Sequence, residues 1–170
     1  DILNDFLSVG KIEEGKIQVR PTIFNIHELV IATVGDLKIT LKKQQKIQYH
    51  HEGNQEVLLD ASLLKHIIMN LVSNASKFSP EGSPIEIKTI SQNQNIILSV
   101  KDYGIGISKE DQKHLMERFF RGTNAGTIQG TGLGLHIVSK YAELMNGTVE
   151  CKSELEKGTE FIITFTSKTD

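Results

Sequence analysis

The stretch from Ala61 to Phe78 constrains this chain more than any other. At about 100° per residue, Leu63, Leu64, Ile67, Ile68, Leu71, Val72, Ala75 and Phe78 fan across one broad helical face, behind Asp60 as a cap. So wide an apolar face belongs in a core. Asn70, Asn74 and Lys77 fall in a narrow arc at its border, where amides and a lysine are costly unless something satisfies them. One reading is a polar boundary stripe on a core helix. The other is a ligand site, because an amide oxygen is a hard ligand suited to Mg²⁺ and Lys a compact charge suited to phosphate.

Around this helix the chain alternates between helical and extended patterns. Ile2, Leu3, Phe6, Val9 and Ile12 have helical spacing but nothing obvious to pack against. Ile17 to Arg20 alternates like a strand, and Asn25 with Glu28 forms a capping box for a helix reaching about Gln44. Ile47 to His50 and Glu56 to Leu59 read as short strands around a turn at Glu52-Gly53-Asn54. Two more strands follow, Ile85 to Ile90 and Ile96 to Asp102. Ser108 and Asp111 open a helix to about Phe120, and residues 121–130 read as a glycine-bearing loop. Leu133 to Met145 is helical up to Asn146-Gly147, and Thr148 to Ser153 with Thr159 to Thr166 closes as a hairpin. Hairpins among helices predict an α/β two-layer sandwich, a mixed and mostly antiparallel sheet with helices on one face.

Two further elements bear on chemistry. The strand ending at Asp102 runs into Asp102-Tyr103-Gly104-Ile105-Gly106-Ile107. A carboxylate there can accept a hydrogen bond from an exocyclic amine, and the glycines would let backbone pass close to a flat base, although turns use the same residues. Gly130-Thr131-Gly132-Leu133-Gly134-Leu135 leads straight into a helix, whose free N–H groups and dipole suit an anion. It lacks the Gly-Lys-Ser/Thr of the P-loop and the preceding strand of a dinucleotide fingerprint. A glycine-rich hinge is the alternative.

In this order the signals closely resemble the GHKL family of ATP-binding domains, and within it the catalytic domain of sensor histidine kinases. Asn70 to Ser79 resembles the N box, Asp102 to Ile107 the first glycine box, Glu117 to Arg121 the phenylalanine box, and Gly130 to Leu135 the second glycine box. The resemblance covers nearly the whole chain and implies a Bergerat-type ATP-binding fold, with ATP and Mg²⁺ as cofactors. It implies that Asn74 holds Mg²⁺, with Asn70 assisting at metal and phosphates. Lys77 contacts phosphate, and Phe78 lies near the adenine. Asp102 binds the adenine amino group, while Gly104, Gly106 and Ile107 shape the base pocket. Residues 108–130 form a lid whose Arg121 stabilises the γ-phosphate, and Gly130, Thr131, Gly132, Leu133, Gly134 and Leu135 hold the phosphates. Asn70, Lys77 and Arg121 are the catalytic candidates; phosphoryl transfer chiefly needs positioning and charge neutralisation.

The ATP-hydrolysing branches of that family carry a glutamate where this chain has Asn70, and an amide cannot act as a base. The resemblance therefore implies transfer to an outside nucleophile, a histidine on a separate helical hairpin. No His-Glu/Asp-x-x-Thr-Pro segment occurs in this sequence, and His27, His50, His51, His66, His114 and His136 read as structural. Residues 1–16 are expected to be the tail of that dimerisation and phosphoacceptor hairpin, with 17–170 the catalytic domain. Expected partners are this hairpin and, through it, a response regulator. The chain itself is expected to be monomeric, cytoplasmic and part of a longer, dimeric protein. A nucleotide-binding regulatory module without kinase activity, or another ATPase or serine kinase of the family, are the alternatives.

Composition narrows the classes further. With 19 basic and 21 acidic residues the net charge is −2, and no basic block offers a nucleic-acid surface. The single cysteine, Cys151, excludes an internal disulfide, and no apolar run reaches the roughly 20 residues of a membrane span.

Overall fold

The computed structural model describes residues 2–118, 120–123, 126 and 132–166. Helix α1 (Ile2–Glu13) leads into an extended stretch rather than the strand predicted at Ile17 to Arg20. There the Arg20 N–H is spent on the Asp60 carboxylate at 2.8 Å. The first strand forms after Pro21, where β1 (Thr22–Asn25) pairs antiparallel with β3 (Glu56–Leu59). Between them lie α2 (Ile26–Leu37), capped by Asn25 Oδ1 on the Glu28 N–H, and β2 (Lys46–Gly53). Helix α2 stops short of Gln44 because the next residues are claimed elsewhere. Lys42 Nζ donates to the carbonyls of Lys77 and Ser79, and Gln45 bonds Ser76.

Strands β2 and β3 do not form the hairpin that the turn at Glu52-Gly53-Asn54 suggests. Instead β2 runs parallel to β4 (Pro84–Gln92), and the chain between them crosses over through α3 (Ala61–Lys77). The main sheet then continues antiparallel through β5 (Asn95–Asp102), β7 (Gly158–Thr166) and β6 (Gly147–Glu154), in the order β2-β4-β5-β7-β6. Helices α2 and α5 (Gly134–Leu144) flank α3, which lies over β4 and β5. This is the mixed α/β two-layer sandwich that the pattern predicts.

Alternation decides which strand residues enter the core. Ile85 and Ile87 on β4, Ile96, Leu98 and Val100 on β5, and Phe161, Ile163 and Phe165 on β7 are buried, facing Leu64, Ile67, Ile68 and Leu71 of α3. Each such side chain contributes about 1.5–3 kcal/mol by leaving water. Asp102 occupies the next inward position after Val100. A carboxylate thus ends a buried apolar row.

Two further sequence expectations shift. Helix α1 does find a packing surface, since Val9 is buried and Ile12 packs on the core cluster. Helix α4 (Lys109–Gln112) is one turn long instead of reaching Phe120. Beyond it the chain continues in tighter turns, with Lys113 N bonded to Glu110 O and His114 N to Asp111 O. Asp111 accepts from both the N–H and the hydroxyl of Thr123, at 2.9 and 3.0 Å, so the chain returns to α4 at Thr123.

Candidate nucleotide site

Strand β5 delivers Asp102 to the mouth of the core with 7% of its surface exposed. Burial raises its pKa to about 6, against the opposing pull of the Gly104 and Thr159 N–H groups and the nearby Ser79 hydroxyl. The Gly104 N–H reaches Asp102 Oδ1 at 2.9 Å and fixes the carboxylate to its own turn. The chain then passes between the end of α3 and the β6–β7 turn: Ile105 N donates to Phe78 O at 3.0 Å, and Glu156 N to Ile105 O at 2.8 Å. A Cβ on Gly104 would stand 2.0 Å from Phe78 O, and one on Gly106, whose φ is +71°, 2.1 Å from Glu154 O. The glycines are therefore required by the protein's own backbone, a constraint that the base-approach argument did not contain. Ile107 N is bonded to Ser153 Oγ.

The second end of the site lies between helices. His66 stacks edge-on with Tyr141 at 6.0 Å between ring centroids, and Asn70, one turn on, stands with Oδ1 3.6 Å from where a Cβ on Gly134 would be. Positions rising along α3 meet positions falling along α5, so the two helices run antiparallel. The C-terminal half of α3, with Asn70 and Asn74 half-buried and Lys77 exposed, therefore approaches the N-terminus of α5. Helices α2, α3 and α4 each begin under a side-chain cap from Asn25, Asp60 or Ser108. No side chain among the described residues caps α5. A helix start beside the Asn70 amide has the chemistry that suits an anion, and amide oxygens suit a hard cation.

The arrangement joins Asn70, Asn74, Lys77, Phe78, Asp102, Gly104 and Gly106 through α3 itself, since Phe78 ends the helix that carries the amides. Leu133 is buried, while Gly132 and Leu135 are partly so. Arg121 is exposed on the segment between α4 and α5. Gly130, Thr131 and Phe119 of the phenylalanine box lie outside the described residues. Among the described residues no group of three or more His, Cys, Asp or Glu side chains could hold a metal. A cation here would draw on the Asn70 and Asn74 amide oxygens and its ligand's own phosphates, a donor set that fits Mg²⁺.

Sequence reasoning missed three contributors. Thr159, opposite Asp102 on β7, donates its N–H to that carboxylate. Lys42 and Gln45 secure the end of α3, Lys42 at the Lys77 carbonyl and Gln45 at those of Ser76 and, just past the helix, Pro80. Strand register and a tertiary cap leave no local signature. Ser79 stands in the N box but carried no role; its serine was visible, its burial was not. A separate cavity of 410 Å³ opens between α1 and α5, lined in part by Ile12, Glu13, Arg118, His136 and Lys140, with Arg118 paired to Glu13. Neither Asp102 nor the two asparagines are among its lining residues.

Known proteins resemble this chain in sequence and fold. Residues 59–169 match the family described as histidine kinase-, DNA gyrase B-, and HSP90-like ATPase. The chain is 33% identical to the histidine protein kinase DivJ of Caulobacter vibrioides over 94% of its own length and 27% of that protein. It is 32% identical to the sensor protein KdpD of Clostridium acetobutylicum over 94% of its length and 18% of KdpD. It thus spans about a quarter or less of these relatives. Full-length ShkA, solved in complex with AMPPNP, superposes with a TM-score of 0.83 at 25% identity, covering 98% of this chain and 36% of that one. No helix among the described residues is long and apolar enough to cross a membrane. The chain belongs to the histidine kinase-, DNA gyrase B-, and HSP90-like ATPase family, as the ATP-binding catalytic domain of the sensor histidine kinase type.

Proposed function

We propose that this domain binds Mg·ATP between α3 and the start of α5 and passes the γ-phosphate to a histidine on a separate helical hairpin. The observation that carries this reading is the antiparallel contact that sets Asn70 against Gly134 at the start of α5. Asp102 accepts a hydrogen bond from the exocyclic amine of the base, against Phe78 and the Gly104–Ile107 turn. Asn74 and Asn70 offer amide oxygens to Mg²⁺, which supplies charge neutralisation on the phosphates. Lys77, the first-turn N–H groups of α5 and the Gly130–Leu135 segment that leads into it hold the phosphate chain, and Arg121 reaches the γ-phosphate. A phosphorus–nitrogen bond forms at the acceptor imidazole as the bond to the ADP oxygen breaks. The protein's part is positioning and electrostatics.

Asn70 stands where a water-activating base would be needed, so hydrolysis is slow and the phosphate waits for an outside nucleophile. Residues 1–16 are the tail of the acceptor hairpin, a reading supported by α1 packing on the domain and by Glu13 pairing with Arg118. The hairpin serves a response regulator in turn, on the cytoplasmic side of a longer protein. The test is incubation of the chain with γ-labelled ATP, alone and with its hairpin. Label should appear on the hairpin histidine and nowhere in this chain. Steady ATP turnover by the chain alone would support an ATPase instead, and ATP binding without label transfer would support a regulatory module.

A further inference from the structure

Among the described residues, the Ser79 hydroxyl is the one buried side-chain polar atom without a hydrogen-bond partner. The residue is 2% exposed. An unpaired buried hydroxyl costs about 1–3 kcal/mol, and such an exception calls for an explanation. Its backbone is well occupied: the carbonyl takes Lys42 Nζ and Gln45 Nε2, and the N–H reaches Ser76 O. The side chain is thereby held toward the turn after β5, with Oγ 3.0 Å from where a Cβ on Gly104 would stand. It is near enough to Asp102 to pull against the burial that raises the carboxyl's pKa.

We propose that Ser79 is a positioning residue of the base pocket: its otherwise unpaired hydroxyl, set beside the Gly104 turn that holds Asp102, is placed to turn and donate to the Asp102 carboxylate from the side closed to solvent when that group is ionised, keeping it an acceptor for the base. Being closed to a water-sized contact, the hydroxyl acts through Asp102 and not on the ligand. The carboxylate needs that help, because Asp102 ends an apolar row and titrates at about 6. The groups around it are the Gly104 N–H, the Thr159 N–H from β7, Ser79 from the end of α3, and Cys151 from β6. The Cys151 thiol, pushed up to about 11, is neutral over the range that matters. Ser79 is then the donor that substitution can remove without touching backbone.

The role rests on the nucleotide reading above, and its test separates the two. ATP affinity of the full chain is measured by calorimetry against pH for wild type, Ser79→Ala and Ser79→Thr, with the Asp102 carboxyl carbon followed by NMR. Loss of one hydrogen bond to a charged group moves the carboxyl up by about one pH unit. The Ser79→Ala dissociation constant then exceeds wild type about fivefold near pH 6, about twofold near pH 7, and not at all near pH 8.5. Ser79→Thr, which restores the hydroxyl, brings the ratio back toward one. A ratio that is flat with pH, together with an unmoved Asp102 titration, overturns the role of Ser79 even if wild type binds ATP well. Should wild type bind no ATP, the nucleotide reading falls, and the Asp102 titration still decides whether Ser79 donates to it.

Discussion

At the Asp102 end of the site backbone presses on backbone, whereas at the Gly134 end side chains meet across ordinary contact distance. A Cβ on Gly104 or Gly106 would lie within about 2 Å of a carbonyl oxygen; one on Gly134 would first meet Asn70 Oδ1 at 3.6 Å. The difference teaches how one pocket can serve two parts of a ligand. On the proposed function, a flat base would be read by a surface fixed in advance, whose walls are main chain held by main chain. Phosphates and their cation would be met by rotatable amides, a lysine and a helix start.

The comparison breaks most visibly at Gly104. Gly104→Ala cannot be accommodated without moving Phe78 or the turn, and should cost about 3 kcal/mol or more, read as a lowered midpoint in thermal or urea denaturation. An unchanged midpoint would mean that the base end is not rigid. The next effect comes from Asp102. Its folded pKa, about 6, exceeds the 3.8 of an unperturbed carboxyl, so the native state holds the proton more tightly. Stability should therefore be greatest at low pH as far as this group is concerned, falling by about 2 kcal/mol as pH rises from 4 through 6 and flat above. ATP affinity should move the other way, failing as pH drops through 6. Denaturation and calorimetry over one pH series check both signs.

The phosphate end should respond differently. Gly134→Ala should change stability by less than about 1 kcal/mol, in the stabilising direction for a helix residue, while weakening ATP binding because the methyl faces Asn70. Lys77→Ala should be the smallest, within about 0.5 kcal/mol in denaturation since the side chain is exposed. Its effect should show in ATP affinity that becomes less sensitive to salt. A large stability loss at either position would erase the distinction between the two ends.

Much of this was legible in the sequence, for identifiable reasons. The apolar face of α3, the Asp60 and Asn25 caps and the hairpin of β6 and β7 are local patterns, and each stands where periodicity places it. The Asn70–Asn74–Lys77 arc is equally local, one helix carrying its own spacing. What the sequence hid depends on distant partners. The alternating Ile17 to Arg20 stretch is not a strand because Asp60 takes the Arg20 N–H. Strand β2 found a parallel neighbour 38 positions away instead of the adjacent β3, as Lys46 opposite Pro84 shows. The helix expected from Ser108 to Phe120 yields after one turn, where Asp111 turns to Thr123. The burial of Asp102 could not be read from a motif that turns share, since it needs the row Ile96, Leu98, Val100 to be inward.

The position of β7 in the sheet has a consequence for how the protein is made. Asp102 lies opposite Thr159, and Asn95 opposite Thr166, so the strand that carries the carboxylate is enclosed by a strand translated more than 50 residues after it. A nascent chain that has released α3, β4 and β5 but not β7 holds every residue of the N box and a bare sheet edge, yet no pocket for a base. Non-local pairing of this kind closes slowly. The domain's ability to take up nucleotide should therefore appear late and all at once during synthesis, and until then the exposed edge of β5 is the surface that a chaperone would have to cover.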